Sequence, residues 1–130
     1  MDDAIDLIYG GAIRTMQKTV NANTTVDFFY LQNTNGVLSA DAKIISEGGD
    51  FYLIKNYDIT FVKGEKGFFT NQSTSDPVHD FEIILTNITD GANIIGYKLS
   101  VQNLSATLNT TITITLTIGG SLSPITFFKL

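Results

Sequence analysis

The sequence predicts an all-β chain: a single-domain antiparallel β-sandwich, jelly-roll-like, with about eight strands over residues 1–130. Three observations carry that expectation. "TTITITLTI" (110–118) alternates threonine with Ile112, Ile114, Leu116 and Ile118, the period of an extended chain with one buried side. Asp90-Gly91 stands between two apolar-rich runs, the signature of a hairpin. Turn residues recur roughly every 8 to 15 positions, too closely for the long crossovers of βαβ units.

The elements follow in order. Within residues 1–11, Ile5, Ile8 and Tyr9 have near-helical spacing, which predicts an arm or a short helix. Strands begin from about residue 12. "TVDFFYLQ" (25–32) is β-branched and aromatic, and Asn35-Gly36 then supplies a tight turn. "VLSADAKIIS" (37–46) ends at Glu47-Gly48-Gly49, and "FYLIKNYDITFV" (51–62) reads as one long strand or two bent at Asn56. Gly64 to Gly67 form a turn before Phe68 and Phe69, and "NQSTSDP" (71–77) reads as a polar loop. "VHDFEIILTN" (78–87) and "NIIGYKLSVQN" (93–103) make the Asp-Gly hairpin. "GGSLSP" turns the threonine strand into "ITFFKL" (125–130).

Composition excludes several functions. The net charge is −5 with eight Lys plus Arg, so there is no basic face to neutralise phosphates, and no nucleic-acid partner is expected. No apolar run is long enough to cross a membrane as a helix. The acidic start "MDDAIDLIYGG" lacks the basic region of a signal peptide, so no export signal is expected. Charged residues make up 16%, against roughly 25% in ordinary soluble domains, and the surface must therefore be built from Thr, Asn, Ser and Gly. Such a surface suits a subunit covered by neighbours.

Little of the sequence points to catalysis, and no enzyme is expected. With no Cys and no G-x-S-x-G turn, nucleophilic catalysis has no foothold. Gly48-Gly49 and Gly119-Gly120 lack the Lys and following helix of a phosphate loop. His79 is the single histidine. Asp80 and Glu82 share the opposite strand face from it, which speaks against a joint ligand set with Asp76. Asp2, Asp3 and Asp6 lack the glycine punctuation of a calcium loop and read as an acidic tail. No metal or cofactor is implied.

Interface signals are stronger. A Thr-Ile strand without charge or proline is an aggregation hazard at an open edge. It belongs inside a sheet, or paired with a neighbouring subunit's strand. Its outer side, Thr111, Thr113, Thr115 and Thr117, is expected to face that neighbour. Aromatics come in adjacent pairs and triplets, such as Phe28-Phe29-Tyr30, Phe51-Tyr52, Phe68-Phe69 and Phe127-Phe128. Adjacent strand residues point to opposite faces, so Phe29, Phe69 and Phe128 are expected as outward interface anchors. Asn23, Asn71, Asn87, Asn103 and Asn109 each begin an N-x-S/T triplet. On a secreted chain these are glycosylation sites; in a bacterial virus they carry no meaning.

The stretch "ITFVKGEKGFFTNQ" (59–72), an extended run, a glycine-bounded turn and an aromatic pair, resembles the vertex (penton) proteins of tailless icosahedral phages that carry an internal membrane. Those are small single jelly rolls of similar length and strand number. The resemblance implies five copies closing a capsid vertex, in contact with major capsid protein and a spike, and no catalytic residues. The leading expectation is thus a non-enzymatic virion subunit, a homo-oligomer assembling through its β surfaces. The alternatives are an extracellular fibre subunit, whose residues 1–20 complete a neighbour's sheet, and a carbohydrate-binding or adhesin module.

Overall fold

Alternation builds the sheets. Along Val37–Gly48 every second side chain is buried as far as Ser46, and the same period runs through Thr110–Ile118. The computed structural model describes residues 5–33, 37–48, 51–62, 65–73, 80–121 and 123–130; of these, the side chains of Ile5, Phe51 and residues 61, 62 and 65–73 also lie outside the description. Within them are ten strands and no helix: β1 (Ile5–Ile8), β2 (Ala12–Val20), β3 (Thr25–Gln32), β4 (Val37–Gly48), β5 (Phe51–Val62), β6 (Glu65–Ser73), β7 (Phe81–Asp90), β8 (Asn93–Asn103), β9 (Thr110–Ile118) and β10 (Ile125–Lys129).

Two five-stranded sheets form, in the orders β1-β10-β3-β8-β7 and β2-β9-β4-β5-β6, and every pairing is antiparallel. Leaving aside the outer strands β6 and β7, the sheets run in the nested orders 1-10-3-8 and 2-9-4-5, with successive strands in opposite sheets except the β4–β5 hairpin, a jelly-roll-like arrangement. The expected all-β sandwich is therefore the fold. Its core includes Phe28, Phe29, Leu31, Ile44, Leu53, Ile59, Leu99, Ile112, Ile114 and Leu116, contributed from both inner faces. Each such side chain contributes roughly 1.5–3 kcal/mol on burial.

Two local features depart from the sequence reading. Residues 5–8 are neither arm nor helix: β1 pairs with β10 through Ile5↔Phe128 to Ile8↔Ile125, and Ile8 is buried. A strand of four residues is too short for its own periodicity to outweigh the near-helical spacing of Ile5, Ile8 and Tyr9. The chain continues as strand β6 through residues 65–73, where a turn and a polar loop are expected, because β5 supplies a full ladder from Ile54↔Ser73 to Val62↔Glu65. β5 itself is one strand, unbroken at Asn56. The Asp90-Gly91 hairpin forms between β7 and β8, with Gly91 at φ +62°. The expected turn at Asn35-Gly36 lies outside the described residues.

The sheets are also tied by polar groups. Lys55 points into the sandwich, 4% exposed; its Nζ donates to the Phe81 carbonyl at 2.6 Å and pairs with Asp80 Oδ1 at 2.6 Å. The same ammonium lies 4.8 Å from the Phe81 ring centroid. At one end, Asn33 Nδ2 donates to the Val37 carbonyl and to Ser121 Oγ, joining the β3–β4 and β9–β10 connections. At the other, Asn103 Nδ2 donates to the carbonyls of Val20 and Leu108, while its Oδ1 accepts from the Ser105 amide.

Candidate functional site

β9 lies between β2 and β4, so its threonines occupy the middle of an outer sheet face. The register sets Thr111 between Thr19 and Glu47, Thr113 between Gln17 and Ile45, Thr115 between Thr15 and Lys43, and Thr117 between Ile13 and Asp41. Thr111, Thr113 and Thr115 are half-buried by these neighbours and Thr117 is exposed. Gln17 Nε2 donates to Thr113 Oγ1 at 3.0 Å. Ile13, 63% exposed, and Tyr52 add large apolar groups to the face. Both edges of β9 are paired within its own chain, so what remains for a neighbour is the side-chain surface and not the strand edge.

The β4 side of this face is charged, with Asp41, Lys43 and Glu47 beside the threonine row, and it holds a carboxylate pair that the sequence reading missed. Asp41 on β4 stands directly opposite Asp58 on β5. Both are exposed, and they line a shallow groove of about 390 Å³ with Lys43, Asn56, Thr115 and Thr117. Like charges facing across a strand pair destabilise it. A glycosidase-type acid and base pair needs one carboxyl in an apolar pocket, whereas these two lie on the open face. No sequence signal marks the pair, because only the β4–β5 register brings residues 41 and 58 together.

Phe29 is a correction. Phe28 and Phe29 are both 0% exposed, since the β3–β8 register slips between Asp27 and Phe29. A bulge breaks the alternation and turns both rings inward. Phe29 packs at 6.2 Å from Tyr97 and 5.7 Å from Phe127, so it anchors the core and no interface. Phe128 is outward as expected: Phe127 is buried, and Phe128 lies 5.7 Å from Tyr30 on the outer face of the other sheet. Phe69 sits opposite Asp58 in the β5–β6 ladder, and its side chain lies outside the described residues.

The triplet asparagines separate similarly. Asn23, Asn87 and Asn109 are exposed, and the side chain of Asn71 lies outside the described residues. Asn103 is 2% exposed with its amide fully engaged, so it is a structural hub and no sugar acceptor in the folded chain. Of the candidate metal-ligating residues, Asp2, Asp3, Asp76 and His79 lie outside the described residues. Asp6 binds Arg14 Nε at 2.6 Å and Asp80 binds Lys55. Among the described residues no cluster of three metal-ligating groups exists.

Among the described residues, three ionisable groups are shifted. A hydrogen bond from Ser100 Oγ holds Asp27 below its ordinary carboxylate value, helped by Lys98. Burial pushes the Tyr57 hydroxyl up to about 12, with Asp80 and Glu82 adding to the effect. Burial alone raises Tyr97 further.

No family model and no curated protein matches the chain. Among solved structures it is similar to the tailspike protein gp49 of Acinetobacter baumannii bacteriophage Fri1, a capsular polysaccharide depolymerase, with a TM-score of 0.55 and 14% identity. The match covers 98% of this chain and 21% of that one, so the chain spans about a fifth of the tailspike's length. At that identity the likeness is one of fold.

Proposed function

We propose that this chain is a non-enzymatic structural subunit of a virion, assembling with copies of itself through the threonine face of the β2-β9-β4-β5-β6 sheet. The observation that carries the reading is the uncharged central row Thr111, Thr113, Thr115 and Thr117, half-buried or exposed, flanked by Thr15, Gln17 and exposed Ile13 on the β2 side and by Glu47, Lys43 and Asp41 on the β4 side. A charge-free centre bordered by charged groups matches the pattern of surfaces that other chains cover, where charge is depleted at the core and kept at the rim. The likeness to part of a phage tailspike supports a place on a virion by analogy of fold alone.

In its specific form the subunit stands at a capsid vertex, where five copies close a ring and meet other capsid or spike proteins. Closure matters, because head-to-tail contacts that do not close run on as filaments. Asp41 and Asp58 then give the face its selectivity, asking for a basic group from the partner.

Light scattering on the purified chain, with intact mass on the same sample, tests this. A closed oligomer at unmodified mass is expected, and Thr113→Lys with Thr115→Lys should leave the far-UV circular dichroism intact while abolishing assembly. A monomer, or assembly unaffected by both lysines, would sink the reading. Long polymers carrying glycan mass would instead indicate a secreted fibre.

A further inference from the structure

The opposite sheet carries a second groove, of about 420 Å³, lined by Tyr30, Gln32, Asn87, Ile88, Thr126 and Phe128. Its origin lies in the ladder. The outer row across four strands runs Thr126, Gln32, Gly96 and Ile88, and its third member has no side chain. Any Cβ at Gly96 would sit 2.2 Å from the Leu31 carbonyl oxygen and 2.6 Å from Gln32 Cα, so β3 and β8 approach closely enough to demand glycine. The row therefore dips between Gln32 and Ile88.

Along one side of the dip stand the two rings of Tyr30 and Phe128, 5.7 Å apart and tilted by 55°. Beside them stand the Gln32 amide and the Thr126 hydroxyl. Among the described residues, the side chains of Gln32 and Thr126, both in the outer row, make no hydrogen bond within the chain and are available to a ligand, whereas Asn87 borders the groove but is paired in the ladder with the inward Tyr97, so its amide points to the other face. No charged side chain lines the groove.

We propose that this groove is a subsite for one or two neutral hexose units of a glycan. A pyranose ring offers an apolar C–H face suited to an aromatic platform, and equatorial hydroxyls suited to a free amide and hydroxyl. The uncharged lining gives an ionic ligand no counter-charge, and the two free polar groups with the Tyr30 hydroxyl make the groove too polar for a lipid chain. The volume falls at the lower end of small-ligand sites. Because the groove and the threonine face lie on opposite sheets, this inference is independent of the assembly proposed above.

Ligand-observed saturation-transfer NMR on the full chain tests it, with maltohexaose, cellohexaose and mannohexaose as probes and hexagalacturonate as the charged control. At least one neutral probe should bind with Kd of about 1 mM or tighter. Tyr30→Ala should weaken it about tenfold, the scale of a lost aromatic contact of about 1.4 kcal/mol. Gln32→Ala, a milder change should the first variant misfold, should weaken it severalfold, while Thr113→Lys leaves it unchanged. Silence from all three neutral probes, preference for the charged control, or binding that survives both groove variants would overturn the inference. So would self-association lost on Tyr30→Ala, which would mean that a second copy occupies the groove.

Discussion

Gly96→Ala isolates a steric demand that the structure makes explicit. Gly96 has no positive φ, so alanine meets no torsional penalty there. Its methyl would lie 2.2 Å from the Leu31 carbonyl oxygen and 2.6 Å from both Cα and Cβ of Gln32, where ordinary contact begins near 3.4 Å. The obstacles are mostly backbone, so β3 and β8 must part locally by roughly 1 Å. Overpacking of this kind costs about 1–3 kcal/mol. Weakening one or two ladder hydrogen bonds adds about 1 kcal/mol each, and the stiffer unfolded chain offsets about 0.5–1 kcal/mol. A net loss of about 3 kcal/mol follows, or about 10 °C in Tm for a chain of this size. Urea unfolding followed by tyrosine fluorescence and circular dichroism reads it directly. Two glycines serve as controls: Gly91→Ala, in open space at φ +62°, should cost about 1 kcal/mol, and Gly10→Ala, also in open space, about nothing. If Gly96→Ala falls within about 0.5 kcal/mol of the parent, the close approach and the groove floor built on it are both refuted.

Other expectations concern the polar ties and the faces. Lys55→Met should cost about 1–2 kcal/mol in urea unfolding and Lys55→Ala about 2–4 kcal/mol. The loss lies in the bond to the Phe81 carbonyl and in packing, since Asp80, 43% exposed, keeps access to water. Asn103→Asp should destabilise more than Asn103→Ala, because a carboxylate would face the carbonyls of Val20 and Leu108; in a glycosylating host, peptide mapping should find no sugar on Asn103. Asp58→Asn should stabilise by about 0.5 kcal/mol by removing the like charge opposite Asp41, and the gain should shrink in high salt. The hydroxyl of Tyr57 is raised in the fold, so stability is intact below pH 10 and falls as pH rises toward 12, while the unfolded chain ionises and the native one does not. Tyr57→Phe should flatten that alkaline slope, and an unchanged slope would place its cause elsewhere.

How much of this was legible depended on distance along the chain. The β7–β8 hairpin and the Thr-Ile strand announce themselves because turn chemistry and alternation are local. Phe29 was misassigned because a bulge is a property of two strands: nothing in "TVDFFYLQ" says that β8 will slip one position against it. β6 was missed because its polar residues 71–73 acquire strand structure only through β5. Both grooves were invisible for the same reason. Asp41 and Asp58 meet through register, and the glycan-sized groove draws its walls from β3, β7 and β10, far apart in the sequence. The triplet at Asn103 carried a surface signal that burial cancelled.

The nested strand order also dictates when the molecule can become whole. β1 waits for β10 and β2 for β9, partners that lie roughly 90 to 120 positions later. A nascent chain emerging from the ribosome therefore holds β1, β2 and one side of β3 without partners until β9 and β10 are made. Only the β4–β5, β5–β6 and β7–β8 hairpins can form early. Folding is then a late closure taking milliseconds to seconds. During that interval the unguarded Thr-Ile strand is exposed to every other copy being synthesised nearby.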